Sequence, residues 1–187
     1  GTNVLSSPIS AETIFVLLEL ANKFEIKIII DLNWREVFWD YSSFSSEISK
    51  TARVNLIKKF LNHADVLKLA REEAILFFED ENPFFISQQM LNRPDVIITD
   101  GKNPVAWCIN GFQGSTETPN SQKIVDTTGA GDAFLAGLIS TFISSGYPSN
   151  KLEIEECVKF ANVCGLLTCL GEGAIEQQPY YEEVIKF

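Results

Sequence analysis

Apolar residues change their spacing several times along this chain, and each change marks an element. Ser7 and Pro8 signal a helix start, behind which Ile14, Leu17, Leu18 and Ala21 recur on one face. Lys27-Ile28-Ile29-Ile30-Asp31 follows, a short β-branched run without alternation, which predicts a strand buried on both faces of a parallel sheet. A helix over 46–62, a strand over 64–69 and a helix from Arg71 through Ala74-Ile75-Leu76-Phe77-Phe78 continue the pattern. Pro94 breaks the next helix, and Asp95-Val96-Ile97-Ile98-Thr99 is another buried strand. Helices alternating with strands in this way predict an α/β layered fold with right-handed crossovers.

The pattern changes after Gly101. Residues 105–109 and 122–125 read as short, antiparallel strands flanking a polar, turn-rich stretch over 110–121. Two long helices follow, about 130–145 and 152–167, and then a tail with Gly171 and Gly173 that is otherwise polar. No internal repeat or linker-like shift in composition divides the chain, so 1–187 is expected to be one α/β domain. The chain opens without Met on a helix-leading turn. A parallel sheet whose first element is a helix looks cut, so further sequence is expected before Gly1.

Composition and charge narrow the chemistry. A chain that is 45% hydrophobic and 21% charged is an ordinary globular one, long enough for a core without disulfides. A net charge of −10 with no basic run argues against nucleic acid as a partner. No apolar run reaches membrane-spanning length and no signal peptide opens the chain, so a cytoplasmic protein with no membrane partner is expected. Cys108, Cys157, Cys164 and Cys169 lack CxxC spacing and read as buried free thiols, not a zinc site. His63 is the only histidine and reads as a surface helix end, which leaves acid–base work to carboxylates.

The most informative stretch is Val125-Asp126-Thr127-Thr128-Gly129-Ala130-Gly131-Asp132-Ala133-Phe134. Two glycines bracket an alanine where a helix begins, and glycine lets the backbone approach a ligand closely. The free N–H groups of a first helical turn, with the positive end of its dipole, bind anions and phosphate above all. Asp132 in the same turn repels such a ligand unless it has a task. Accepting a proton from a hydroxyl that attacks phosphorus is the obvious one. The plainer alternative is a tight turn with an aspartate that stabilises the helix start. No GxxxxGK[ST] loop is present, and a third glycine with its following acid is missing, which excludes a P-loop and a dinucleotide dehydrogenase fingerprint.

Asp126 to Phe134 resembles the C-terminal signature of the PfkB/ribokinase family of carbohydrate kinases. Asp31-Leu32-Asn33-Trp34-Arg35 is similar to that family's DxNxR segment, Thr99-Asp100-Gly101 to its TxG turn, and Phe160-Ala161-Asn162-Val163-Cys164-Gly165 to its late nucleotide-lining helix. The stretch from Arg35 to Trp39 and the Lys68-to-Glu73 segment look most like the fructokinase branch. The resemblance implies a ribokinase-like three-layer α/β sandwich with a mostly parallel sheet, present here as its C-terminal part without the lid. It implies Asp132 as catalytic base and Gly129, Ala130 and Gly131 as the anion hole. Thr99 and Gly101 would approach the phosphates and ribose of ATP, Asn162 the adenine, and Arg35 a phosphate. Glu73 would organise magnesium-bound water, and Asp126 and Thr128 would border a K⁺ ion. Without the resemblance, Glu73 is a solvated helix glutamate, Arg35 an exposed loop arginine, and Thr99, Gly101 and Asn162 a strand end, a turn and a helix-face amide.

Two departures from the family pattern stand out. Ala70 replaces a polar residue three positions before Glu73, and Asp100 adds negative charge inside TxG unless its side chain faces away. The family's sugar pocket and lid lie mainly upstream of what this chain matches. The chain is therefore expected to hold the nucleotide site and the base, but not to grip sugar alone. A homodimer would form through the lid region. The activity implied is ATP-dependent phosphorylation of a sugar hydroxyl, fructose first, with Mg²⁺ and K⁺ as ions. The alternatives are an inactive kinase-like scaffold, or a kinase for ribose, 2-keto-3-deoxygluconate or a nucleoside.

Overall fold

The computed structural model describes residues 1–37, 50–121 and 123–187. By its internal contacts the chain divides into two compact units, Gly1–Ile98 and Thr99–Phe187.

In the first unit a 3-10 turn, Thr2–Ser6, leads into α1 (Pro8–Lys23), with Pro8 at its first position, where a missing N–H costs nothing. Then come β1 (Ile29–Asp31), α2 (Lys50–Leu61), β2 (Val66–Ala70), α3 (Arg71–Phe78), α4 (Pro83–Gln89) and most of β3 (Asp95–Asp100). β1 and β2 run parallel with Ile29, Ile30 and Asp31 opposite Val66, Leu67 and Lys68. Val66, Leu67 and Leu69 of β2 and Val96, Ile97 and Ile98 of β3 are all buried, the continuous run that a strand covered on both faces requires. Ile30, Leu32, Ile57, Leu61 and Ile86 are among the residues buried with them. α4 is capped by Asn82, whose side chain accepts from Phe84 N at 2.9 Å.

Most expected elements of this unit are present, with shifted ends. The first strand is three residues long, and the helix expected over 46–62 is described from Lys50, with 46–49 outside the described residues. Trp39 also lies outside them. On α1, Ala11 and Leu18 are buried, but Leu17 is half exposed, so the buried stripe is narrower than the apolar one. His63 follows α2 and is half-buried, with its ring edge-on to Phe15 at 5.9 Å.

The second unit holds β4 (Asn103–Ile109), β5 (Phe112–Thr116), α5 (Ala130–Ser144), α6 (Lys151–Thr168) and α7 (Tyr181–Val184). β4 and β5 form an antiparallel hairpin with Val105 opposite Thr116 and Ile109 opposite Phe112. This corrects the expected partner of residues 105–109. The strand is 112–116, inside the stretch that reads as polar turn, whereas 123–125 is not a strand. The buried Trp107 fixes the hairpin by donating Nε1–H to Thr116 Oγ1 at 2.9 Å. α6 is capped by Asn150, which accepts from Glu153 N at 3.1 Å. The short α7, which the polar tail does not announce, covers a cluster of Ala133, Cys164 and Val184 with Phe160, Val163 and Leu167.

All four cysteines are free and buried, as expected. Burial pushes the Cys164 thiol up to about 11, and burial followed by the nearby Asp126 carboxylate raises Cys169. Among the described residues no helix is long and apolar enough to cross a membrane.

Candidate functional site

The second unit contains a cleft of about 620 Å³. Its walls combine the apolar Val105, Ile124, Phe134 and Leu166 with the polar Thr99, Thr118, Ser121 and Asn162. Ala130 and Gly131, the first residues of α5, also line it. Apolar walls with a few convergent polar groups are the usual make-up of a small-molecule site.

The helix start is held in place by its sequence. Gly129 sits just before α5 at φ 83°, and a Cβ there would lie 2.8 Å from that of Ala174. Only glycine meets both conditions. Gly129 O accepts from Ala133 N at 2.9 Å and Thr127 O from Ala130 N at 3.2 Å, so the N–H groups of Gly131 and Asp132 have no acceptor within the helix. Gly165 of α6 lets the start of α5 come close: a Cβ at this position would stand 3.1 Å from Ala130 O. Asp132 is exposed in the first turn of α5 and is not among the residues lining the cleft.

Asp126 clips the loop in front of that helix. Its Oδ1 accepts from Thr128 N at 2.9 Å and from Thr128 Oγ1 at 2.7 Å, and its Oδ2 accepts from Gly173 N at 3.1 Å. The Thr128 N–H, then its hydroxyl, then the Gly173 N–H hold this carboxyl below the usual aspartate value. The same loop is tied to the end of α6, where Cys169 O accepts from Val125 N at 2.9 Å.

The other wall is knitted by side chains. Thr118 Oγ1 donates to Asn103 O at 2.7 Å, and the buried Asn162 donates Nδ2–H to Glu117 O at 3.2 Å. Asn162 therefore lines the cleft and also fastens the 117–121 segment to α6. Asp100 does not line the cleft, and its Oδ2 accepts from Asn103 Nδ2 at 2.9 Å. The charge that the TxG resemblance left in question is turned elsewhere.

In the first unit, Glu73 is not the solvated glutamate of the plain sequence reading. Its Oε1 accepts from Trp34 N at 2.6 Å and its Oε2 from Ala70 N at 2.8 Å, so it joins the loop after β1 to the start of α3. Burial raises its pKa, against the lowering effect of the Ala70 and Trp34 N–H groups; Asp31 adds to the rise and Lys68 opposes it. Trp34 stands edge-on to Phe77 at 5.4 Å, while Arg35 is exposed. A buried ion pair lies nearby in this unit: Lys68 Nζ is 3.2 and 3.0 Å from the two oxygens of Asp31. The sequence reading missed this pair, because only the β1–β2 register brings the two residues together.

Thr99, Gly101, Ala130, Gly131 and Asn162 thus gather around one cleft, with Gly129 and Asp132 flanking its helix start. Glu73 and Arg35 belong to the first unit. Lys102 and the 118–121 wall are lining residues that the sequence did not single out, though Lys102 directly follows the TxG turn.

Residues 2–180 match the family described as pfkB family carbohydrate kinase. A fructokinase of Salmonella thompson is 27% identical over 185 residues, 96% of this chain and 79% of that protein. Fructokinase-1 of Oryza sativa subsp. japonica is 30% identical over 175 residues, 90% of this chain and 51% of its own length. The crystal structure of a fructokinase with bound ATP from Xylella fastidiosa matches with a TM-score of 0.84 at 26% identity, covering 99% of this chain and 58% of the other. A fructokinase from Vibrio cholerae O395, in fructose, ADP and calcium ion bound form, matches with a TM-score of 0.81 at 25% identity, covering 100% of this chain and again 58% of the other. The fold is the expected ribokinase-like α/β one with a mostly parallel sheet. The chain spans little more than half the length of the solved fructokinases it matches.

Proposed function

The chain belongs to the pfkB family of carbohydrate kinases, and from that premise we propose that it carries the nucleotide site and the chemical base of an ATP-dependent sugar kinase whose acceptor is fructose. The observation that supports this most is the apolar cleft ending on the start of α5, at Ala130 and Gly131, with Asp132 in the same turn. ATP lies in the cleft, with Thr99 and Gly101 toward its ribose and phosphates and Asn162 toward the base. Asp132 takes the proton of a sugar hydroxyl as that oxygen bonds to the γ-phosphorus. The bond from the γ-phosphorus to the β–γ bridging oxygen breaks, and ADP leaves with the electron pair. Gly129 and Gly131 present their N–H groups to the charge on the transferred group, and the Ala130 N–H, which donates to Thr127 O at 3.2 Å, joins them once it turns from that bond.

Magnesium, when bound, would neutralise charge on the phosphates. It keeps several waters, so a carboxylate that accepts from one of them needs only a spare lone pair, and each Glu73 oxygen retains one beside its backbone N–H. Arg35, exposed at the end of the loop after β1, offers a guanidinium to a phosphate. Asp126 Oδ2 keeps a lone pair for a K⁺ ion beside the clip it makes with Gly173, with Thr128 at the same loop. The sugar grip, the lid and any homodimer contact through it are assigned to the share of the family's length that this chain does not cover.

Support for the assignment also comes from the names of the relatives, since fructokinases recur among them and one structure holds fructose with ADP. The test is ADP release from ATP with fructose, ribose, 2-keto-3-deoxygluconate and a nucleoside as acceptors. It is run on the chain alone and on the chain extended at Gly1 by the N-terminal part of a fructokinase. Fructose-dependent release in the extended form, with little in the chain alone, is the expected result. Preference for a nucleoside would overturn the substrate class. ATP binding with no release on any acceptor would favour a non-catalytic, nucleotide-binding scaffold.

A further inference from the structure

The turn between β3 and β4, Asp100-Gly101-Lys102-Asn103, sorts its charges. Asp100 is held by Asn103 and lies outside the cleft lining, while Lys102 lines the cleft. Among the described residues that line the cleft Lys102 alone carries a charge, in a chain whose net charge is −10. The turn is also tied to the rest of the wall. Asn103 O accepts from Thr118 Oγ1 at 2.7 Å, and the segment that supplies Thr118, Pro119, Asn120 and Ser121 to the lining is fastened to α6 by the Asn162–Glu117 bond. An acidic protein repels a polyanion at long range, so a site for one needs a local cation or oriented N–H groups. The lining of this cleft offers both, the helix start at Gly131 and the lysine at 102, together with apolar residues that suit a ring.

We propose that Lys102 binds a phosphate of the nucleotide and gives the cleft its preference for phosphorylated over unphosphorylated ligands. This rests on the assignment of the cleft to a nucleotide. A lysine ammonium is a compact charge with three donors on a flexible stem, able to follow a polyphosphate without the fixed fork of an arginine. Lys102 is exposed, so its replacement leaves the fold intact, and an unchanged melting temperature without ligand is expected of each variant.

The experiment is calorimetric titration of the purified chain, wild type and variant, with adenosine, AMP, ADP and ATP. Wild-type affinity should rise along that series. Lys102→Gln should weaken ADP and ATP binding by about tenfold, the worth of one charge-assisted hydrogen bond in a half-open site. Adenosine should bind the variant within about twofold of wild type, since it offers no phosphate to the missing charge. Lys102→Arg should restore most of the ADP affinity, and Lys102→Glu should lose more than Lys102→Gln. Wild-type affinity for ADP in Lys102→Gln would overturn the proposal, leaving the nucleotide assignment standing. An equal loss for adenosine and ADP would overturn it too, by placing Lys102 against the base or ribose. Failure of wild type to bind any member of the series would overturn the nucleotide assignment and this inference with it.

Discussion

Replacing Asp132 by Asn is expected to lower kcat for fructose phosphorylation by about 10²–10⁴-fold, the usual range for loss of a positioned base, with the KM for ATP changed by no more than about twofold. Asparagine keeps the size and polarity of the side chain but cannot accept the hydroxyl proton at neutral pH. Nucleotide affinity should survive because Asp132 is exposed and lines no part of the cleft. Stability should shift by no more than about 0.3–1 kcal/mol, the worth of an acidic side chain in an exposed first turn. The readout is ADP release at saturating ATP and fructose in the extended form. An unchanged kcat would remove Asp132 from the base role.

The largest stability effect is expected at Lys68. Its ammonium is bonded to both oxygens of Asp31, and each side chain is only 8% exposed. Lys68→Met fills the same space but deprives the buried Asp31 carboxylate of its cation. The loss should be about 3–5 kcal/mol, as for other buried pairs broken on one side, and urea unfolding measures it. Combining Lys68→Met with Asp31→Leu should recover most of the loss, because two apolar side chains leave no buried charge behind. A single-variant cost under about 1 kcal/mol would instead place the pair in a wetter, screened environment.

Elements with strong end signals were legible from the sequence. α3 begins at Arg71 and ends at Phe78 as expected, and α5 and α6 fall within about one residue of their expected ends. The apolar stripes of α5 and α6 are long, and Gly129 marks the start of α5. The hairpin partner was misplaced for a physical reason. Phe112-Gln113-Gly114-Ser115-Thr116 buries only Thr116 and so shows no apolar alternation. Ile124 and Val125 look like a strand, yet they are 48% and 57% exposed, and Ile124 lines the cleft. Apolar residues that serve a ligand pocket imitate the signal of a core strand.

The candidate site divides in the same way. The helix start was readable because its glycines and aspartate are consecutive, and the TxG turn and Asn162 followed from resemblance. Lys102 beside that turn was passed over, since a surface lysine carries no pattern. The Asp31–Lys68 pair spans 37 residues of sequence and is set by register alone. The role of Glu73 as a tie between Ala70 and Trp34 likewise needs the loop after β1 to fold back onto α3.

The claim on which the rest stands is that the backbone amides opening α5 face a nucleotide's terminal phosphate. Hydrogen–deuterium exchange of the purified chain, with and without ATP and magnesium, reads those amides directly. Slower exchange at Gly131 and Asp132 in the presence of ATP is the predicted result. ATP binding that leaves these two amides exchanging as before would contradict it.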